Sequence, residues 1–170
     1  MKSSLIKKLS KIRIVLTDVD GVLTDGGMYY TKNGDVMKKF HARDGMGVSL
    51  LKKKNIPTII VTKEKSIMVK QWAKKMPVEK LYDGIQNKKS IVKIICKKYS
   101  VATNEIAYIG DDVNDVGLLN DVGLSCCPSD AIKQVIEICD YVCTKAGGDS
   151  SFRELADLII SSQDLEKQKR

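Results

Sequence analysis

Short apolar runs bounded by polar punctuation recur along the chain. They are Ile12 to Leu16, broken only by Arg13, then Ile56 to Val61, Ile106 to Ile109, Gly123 to Cys127 and Tyr141 to Thr144, with a weaker strand at Val78 to Tyr82, which Glu79 and Lys80 interrupt. Such runs fit strands buried on both faces of a parallel sheet. Between them, apolar residues recur at helical spacing. Val48, Leu50 and Leu51 mark a short helix over Gly47 to Lys54, and Met68, Trp72 and Met76 mark the core face of one from Ser66 to Met76. Ile91, Ile94 and Ile95 mark another that begins at Asn87, Leu118 and Leu119 a short one, and Ala131 to Ile138 the next. Phe152, Leu155, Leu158 and Ile159 mark the last, which Ser151-Phe152-Arg153-Glu154 opens in the pattern of a capping box. Strands alternating with helices predict an α/β chain: a three-layer α/β/α, Rossmann-like build around a parallel central sheet with right-handed crossovers.

One stretch breaks the alternation. Met28 to Thr31 and Val36 to Phe40 flank Asn33-Gly34, the strongest short hairpin signal. A small β-hairpin flap over about 26–41 therefore interrupts the passage from the first strand to its helix. The whole chain, 1–170, reads as a single domain of ordinary size, with a polar end, about 162–170, expected to fray.

Composition narrows the class. No apolar run approaches the roughly 18 residues of a membrane span, and the first residues lack the apolar centre of a signal peptide, so a cytoplasmic protein is expected. The five cysteines form no paired C-x-x-C, and the single His41 cannot complete a zinc set with them. They read as buried thiols of a reducing compartment. The formal net charge of +8 is carried largely by lysine. It describes either a solvated surface or an anionic partner; without aromatics interleaved among the lysines, a small anion fits better than nucleic acid.

The chemistry gathers at strand ends. Asp18-Val19-Asp20-Gly21 follows the first strand, Thr62-Lys63-Glu64 the second, and Asp111-Asp112-Val113-Asn114-Asp115 the fourth. In an open parallel sheet all carboxyl ends share one edge, where ligand crevices form. Asp18, Asp20, Thr62, Lys88, Asp111 and Asp115 are thereby expected together. Asp18 and Asp111 supply hard oxygen ligands suited to Mg²⁺. A cation, the Lys88 ammonium and the Thr62 hydroxyl would screen a phosphate enough for Asp18 to attack it, while Asp20 serves as acid and then as base. Plainer roles stay open: Thr62 as a turn cap, Lys88 as a surface lysine interchangeable with Lys89, His41 as a structural histidine. His41, Arg43 and Asp44 alternatively line a substrate crevice, and Arg153 is either solvated or a carboxylate clamp across a subunit boundary.

Taken together, DVDGVLTDGG, the strand-end Thr62, Lys88 and GDDVND resemble the four motifs of the haloacid dehalogenase superfamily. From about Lys11 to Ile160 the chain more narrowly resembles the small capless phosphatases of 3-deoxy-D-manno-octulosonate (KDO) 8-phosphate, through TDVDGVLTDGGMYY, FHARDGMG, YIGDDVND and KAGGDSSFRE. The resemblance implies a haloacid dehalogenase fold with the hairpin in place of a cap domain, and a phosphomonoesterase acting on a small anionic sugar acid phosphate through an aspartyl phosphate. Asp18 would be the nucleophile, Asp20 the acid/base, and Thr62 and Lys88 phosphoryl binders. Mg²⁺ would be held by the Asp18 and Asp111 carboxylates and the Asp20 main-chain carbonyl, supported by Asp112, Asn114 and Asp115. Thr24, His41, Arg43, Asp44, Lys63, Glu64 and Arg153 are candidate substrate contacts. A homotetramer is also implied, with a neighbour's C-terminal segment over each site, and with it a place in lipopolysaccharide or sialic acid synthesis.

Two positions depart from the family pattern. Lys63 stands where Gly usually follows Thr, and Ser150 where the last Gly of Gly-Gly-x-Gly would be, so the loop is expected to be less able to adopt positive φ. Glu64 is similar to the residue of relatives acting on nine-carbon acids, where those acting on eight-carbon acids commonly carry Arg. Two other classes compete: a non-catalytic oligomerisation domain related to those of acylneuraminate cytidylyltransferases, and a phospho-aspartate receiver. Keeping Asp18, Asp20, Lys88 and Asp111 together argues against the first; Asp20 and the hairpin argue against the second.

Overall fold

The computed structural model describes residues 3–168. Among these, six strands form one parallel sheet: β1 (Ile14–Thr17), β4 (Thr58–Val61), β5 (Lys80–Tyr82), β6 (Ile106–Ile109), β7 (Leu124–Cys127) and β8 (Tyr141–Val142), in the order β5-β4-β1-β6-β7-β8. β1 is central, with Val15 beside Thr58 and Ile14 beside Ile106. The order reverses at β1, which opens a crevice at its carboxyl end.

Side chains of each central strand alternate between two cores, as a pleat of period two requires. Val15, Ile60, Ala107, Ile109, Leu124 and Cys126 face a layer of α1 (Ser3–Leu9), α2 (Ala42–Lys53), α3 (Ile67–Lys75) and α7 (Ser151–Gln168), through Leu9, Val48, Leu51, Val69, Phe152, Leu155 and Ile159. Ile14, Leu16, Ile59, Val61, Tyr108 and Cys127 face α4 (Ser90–Tyr99), α5 (Val116–Leu119) and α6 (Lys133–Ile138), through Ile91, Val92, Ile95, Leu118 and Val135. The sheet thus lies between two helical layers.

β2 (Tyr29–Thr31) and β3 (Gly34–Met37) form the antiparallel hairpin. Its two-residue turn is Lys32-Asn33, one place earlier than Asn33-Gly34, and the positive φ falls at Gly34 (φ 103). Phe40 stacks on Trp72 at 4.9 Å, so the hairpin base rests on α3.

Several expectations need correction. α1 has no counterpart in the sequence reading, because its short apolar face, Leu5 and Leu9, is hidden among lysines. α2 begins at Ala42 rather than Gly47, since His41 caps it by accepting a hydrogen bond from Arg43 N–H on Nδ1. α4 begins at Ser90, and Ile94 is exposed while Val92 turns inward. In α3 the buried residue is Val69, with Met68, Trp72 and Met76 half-buried. No capping box forms at Ser151: its hydroxyl donates to Val22 O, and Glu154 instead accepts from the Tyr141 hydroxyl and the Thr144 and Lys145 N–H groups, tying α7 to the end of β8. The polar end is helical as far as Gln168, held where Gln163 donates to Ile12 O and Lys54 pairs with Asp164; the rest of that stretch lies outside the described residues. All five cysteines are free thiols, with Cys126, Cys127 and Cys143 buried and Cys96 and Cys139 half-buried.

Candidate active site

β1 stops at Thr17, and Asp18 N–H still donates to Ile109 O, so the sheet register carries Asp18 to its edge. The chain then turns tightly, with the N–H groups of Val22, Leu23 and Thr24 all converging on Val19 O. Gly21 (φ 84) makes that turn, and a Cβ there would stand 2.0 Å from Asp111 Oδ2. Only glycine lets the acid that follows β6 approach so closely.

Lys88, in the turn before α4, is 1% exposed. Its Nζ lies 2.7 Å from Asp18 Oδ2 and 2.6 Å from Asp115 Oδ1. Asp115 is used on both oxygens: Oδ1 also accepts from the Tyr108 hydroxyl, and Oδ2 from Asp111 N–H at 2.9 Å and Asp112 N–H at 3.3 Å. Asp115 therefore orients Lys88 and the Gly110–Asp112 turn. Asp112 caps the helical turn that follows by accepting from Val113 N–H.

Charge at this edge is unbalanced. Oxygens of Asp18, Asp111 and Asp115 lie within 4.8 Å of one another, yet among the described residues Lys88 alone is paired with them, and Asp111 Oδ1 is buried without a partner there. Burial, reinforced by Asp18 and Asp115, pushes the Asp111 carboxyl up to about 8. Burial raises Asp18 as well, against the opposing pull of Lys88. For Lys88, burial opposes the charge, but Asp18 and Asp115 outweigh it and the ammonium is held above its usual range. Hard oxygen donors, an orphaned acceptor and excess negative charge fit a divalent cation. Asp115, saturated by donors, is the least suited of the three to ligate it.

Above this cluster opens a cavity of about 270 Å³, lined by Asp18, Asp20, Thr62, Lys63, Glu64, Asp111, Asp112 and Asn114. Thr62 is buried at its floor, its N–H bonded to Tyr82 O, while Lys63 and Glu64 are exposed at its rim. Asp20 Oδ1 accepts from Thr24 Oγ1 at 3.3 Å and from Lys38 Nζ at 2.6 Å; Lys38 also reaches Glu64 Oε2 at 3.1 Å.

The remaining candidates stand elsewhere. Arg43 and Arg153 line a separate cavity of about 550 Å³ with Thr144 and Lys145, and Arg153 Nε pairs with Asp157. Asp44 is buried between α2 and α7, where Oδ1 accepts from Arg153 N–H and Oδ2 has no partner. His41 Nδ1 lies 3.2 Å from Ser150 Oγ. Ser150 does adopt positive φ (77), contrary to the expectation for that loop.

Sequence reasoning missed Lys38 and Tyr108. Lys38 is two places before the half-buried Phe40 and so falls on the same side if the chain stays extended beyond β3; the Lys38-Lys39 pair masked this. Tyr108, alone among aliphatic residues in β6, brings a hydroxyl that needs a buried partner.

A family model for haloacid dehalogenase-like hydrolases matches residues 78–151, the span that holds Lys88 and Asp111. The 3-deoxy-D-manno-octulosonate 8-phosphate phosphatase of Escherichia coli K12 is 35% identical over 163 residues, 96% of this chain and 87% of that one. The chain belongs to this phosphatase family. A Haemophilus influenzae member is 34% identical over 92% of this chain and 87% of its own. The crystal structure of the Yersinia pestis phosphatase superposes with a TM-score of 0.94 at 31% identity, covering 96% and 89% of the two chains. That of the Moraxella catarrhalis phosphatase, in complex with magnesium ion, phosphate ion and KDO, gives 0.93 at 30%, covering 99% and 97%. This chain is accordingly a haloacid dehalogenase-type phosphoric monoester hydrolase, and the fold expected from the resemblance is the fold found. Among the described residues no helix is long and apolar enough to cross a membrane.

Proposed function

We propose that this phosphatase hydrolyses the phosphate ester of a 3-deoxy-2-ulosonic acid of the KDO 8-phosphate type, with Mg²⁺ as cofactor. The observation that carries the reading is the buried Asp18–Lys88–Asp115 array beside the orphaned Asp111, at the floor of a cavity with Thr62 and Asp20. The relatives' substrate supports the choice of sugar acid.

Asp18 attacks phosphorus while Asp20, protonated, gives its proton to the ester oxygen as the P–O bond breaks. Asp20, now a carboxylate, takes a proton from water as that water attacks the aspartyl phosphate, freeing Asp18 and inorganic phosphate. Lys88 and the Thr62 hydroxyl hold phosphoryl oxygens as charge develops on them, and Asp115 keeps Lys88 in place. The Asp18 and Asp111 carboxylates and the Asp20 main-chain carbonyl would hold Mg²⁺, with Asp112 and Asn114 beside them. When bound it supplies the positive charge that screens the phosphate.

A nine-carbon acid 9-phosphate is the second reading, favoured by Glu64 at the cavity rim. A cytoplasmic homotetramer completes the proposal, in keeping with free thiols and with Met28, Tyr30, Val36 and Met37 exposed on the hairpin. Phosphate release with Mg²⁺, measured over KDO 8-phosphate, two nonulosonate 9-phosphates and unrelated sugar phosphates with an EDTA control, tests it. Preference for one ulosonate is expected; weak, EDTA-insensitive release from all of them would overturn it.

A further inference from the structure

The hairpin strands are open to solvent: Tyr29, Tyr30, Thr31, Asp35, Val36 and Met37 are all exposed. One residue later the Lys38 side chain is only 4% exposed. Its neighbour Lys39 turns outward, 58% exposed and 3.5 Å from Asp25, so burial is particular to Lys38. The Lys38 ammonium joins two loops that line the cavity, through Asp20 after β1 and Glu64 after β4. Thr24 pairs with Phe40 in an isolated antiparallel bridge, and Phe40 is stacked on Trp72. The base of the hairpin is thereby fixed to the loop that carries Asp20 and to the helix behind Glu64.

Both donors to Asp20, Lys38 Nζ and Thr24 Oγ1, address the same oxygen, Oδ1. Oδ2 is left free of both donors. We infer that Lys38 is the positioning residue for Asp20: from the hairpin it holds the Asp20 carboxyl group in one rotamer through Oδ1, leaving Oδ2 to face the ester oxygen of the leaving alcohol. The inference rests on the proposed role of Asp20 as acid and base. It makes the hairpin part of the chemistry, since the flap brings the group that aims the acid.

The distinction from a mere staple lies in the leaving group. A sugar alkoxide needs the proton as the P–O bond breaks, whereas 4-nitrophenolate leaves without one. With the full chain and Mg²⁺, Lys38→Met is expected to lower kcat on KDO 8-phosphate at least about 10-fold, a part of the roughly 10²–10⁴-fold that acid–base catalysis typically supplies, while KM stays within about threefold. Release of 4-nitrophenolate in the first turnover of 4-nitrophenyl phosphate should stay within about threefold of wild type, because that step does not draw on Asp20. Lys38→Arg should recover most of kcat, and Lys39→Met should leave it unchanged. If Lys38→Met fails to fold by circular dichroism, Lys38→Gln is read in the same way. Equal losses on both substrates, or unaltered kcat on the sugar acid, would overturn the assignment of Lys38 alone. A wild-type chain that releases no Mg²⁺-dependent phosphate from any sugar acid phosphate would overturn the proposed function and the inference with it.

Discussion

Lys88 Nζ lies 2.7 Å from Asp18 Oδ2, with the two side chains 1% and 7% exposed. A cation so buried and the two acids it contacts, Asp18 and Asp115, hold one another in place. Lys88→Met should cost about 3–5 kcal/mol of stability near pH 7, the usual result of leaving buried charge unpaired. Urea unfolding without divalent metal measures this, and phosphate release should be nearly abolished in the same variant.

Asp18→Asn separates chemistry from folding. Burial already disfavours the Asp18 charge, and Asp115 still pairs with Lys88, so the neutral isostere should keep stability within about 1 kcal/mol of wild type. Turnover should vanish, and trapping with labelled substrate should show no phosphorylated enzyme; full activity would remove Asp18 as the nucleophile.

Asp111 predicts a metal effect that needs no substrate. Its Oδ1 is buried without a partner and its carboxyl group is pushed up to about 8 by burial and neighbouring acids. Mg²⁺ at about 100 times its Kd should stabilise the protein by about 2.7 kcal/mol. Calorimetry near pH 7.5 should show proton release on binding, because the cation favours the carboxylates. Asp111→Asn should lose most of both responses.

Gly147 predicts coupling between the C-terminal loop and the site. A Cβ there would lie 2.0 Å from Gly21 O, in the turn that carries Asp20, and the next residue, Gly148, donates to Val22 O. Gly147→Ala should cost about 1–3 kcal/mol through overpacking. Because the backbone that must yield is the Asp20 turn, kcat should fall in the same variant, by about 10-fold on the view that small misplacements of reacting groups are costly. Thermal unfolding and steady-state kinetics check the two effects.

Asp44 predicts a pH effect away from the acidic cavity. Burial raises its carboxyl group from 3.8 to about 6, against opposing help from Arg153 N–H and His41. The native state therefore binds this proton more tightly than the unfolded chain, and the ionised form is the one that destabilises. Stability of wild type relative to Asp44→Asn should rise as pH falls from 7 through 6 to about 4, by at most about 3 kcal/mol, at about 1.4 kcal/mol per pH unit. Urea titrations of both proteins across that range provide the comparison; a flat difference would count against it.

Site residues differed in how far they could be read. Asp18, Thr62 and Asp111 follow buried apolar runs directly, so their meeting at one sheet edge needs only the rule that parallel strands end together. Lys88 was legible as a candidate but not separable from Lys89, because both precede the same helix and only packing buries one; Lys89 pairs instead with Asp121 at the surface. His41, Arg43 and Asp44 stand in one motif and Arg153 in another far along the chain, yet the α2–α7 contact brings them together away from the acidic cavity. Lys38 was hidden by a charged doublet that reads as solvated.

From sequence alone follow the layers, the parallel sheet, the hairpin and the strand-end acids, because apolar periodicity and strand ends are local properties of the chain. Tertiary structure decided which donors meet which acids. Lys38 on Asp20, Tyr108 and Lys88 on Asp115, and Glu154 on the end of β8 join residues far apart in the chain or on different elements. Their partners are chosen by how two helical layers and a hairpin close over the sheet, where burial makes each unpaired polar group costly and so selects the arrangement that satisfies most of them.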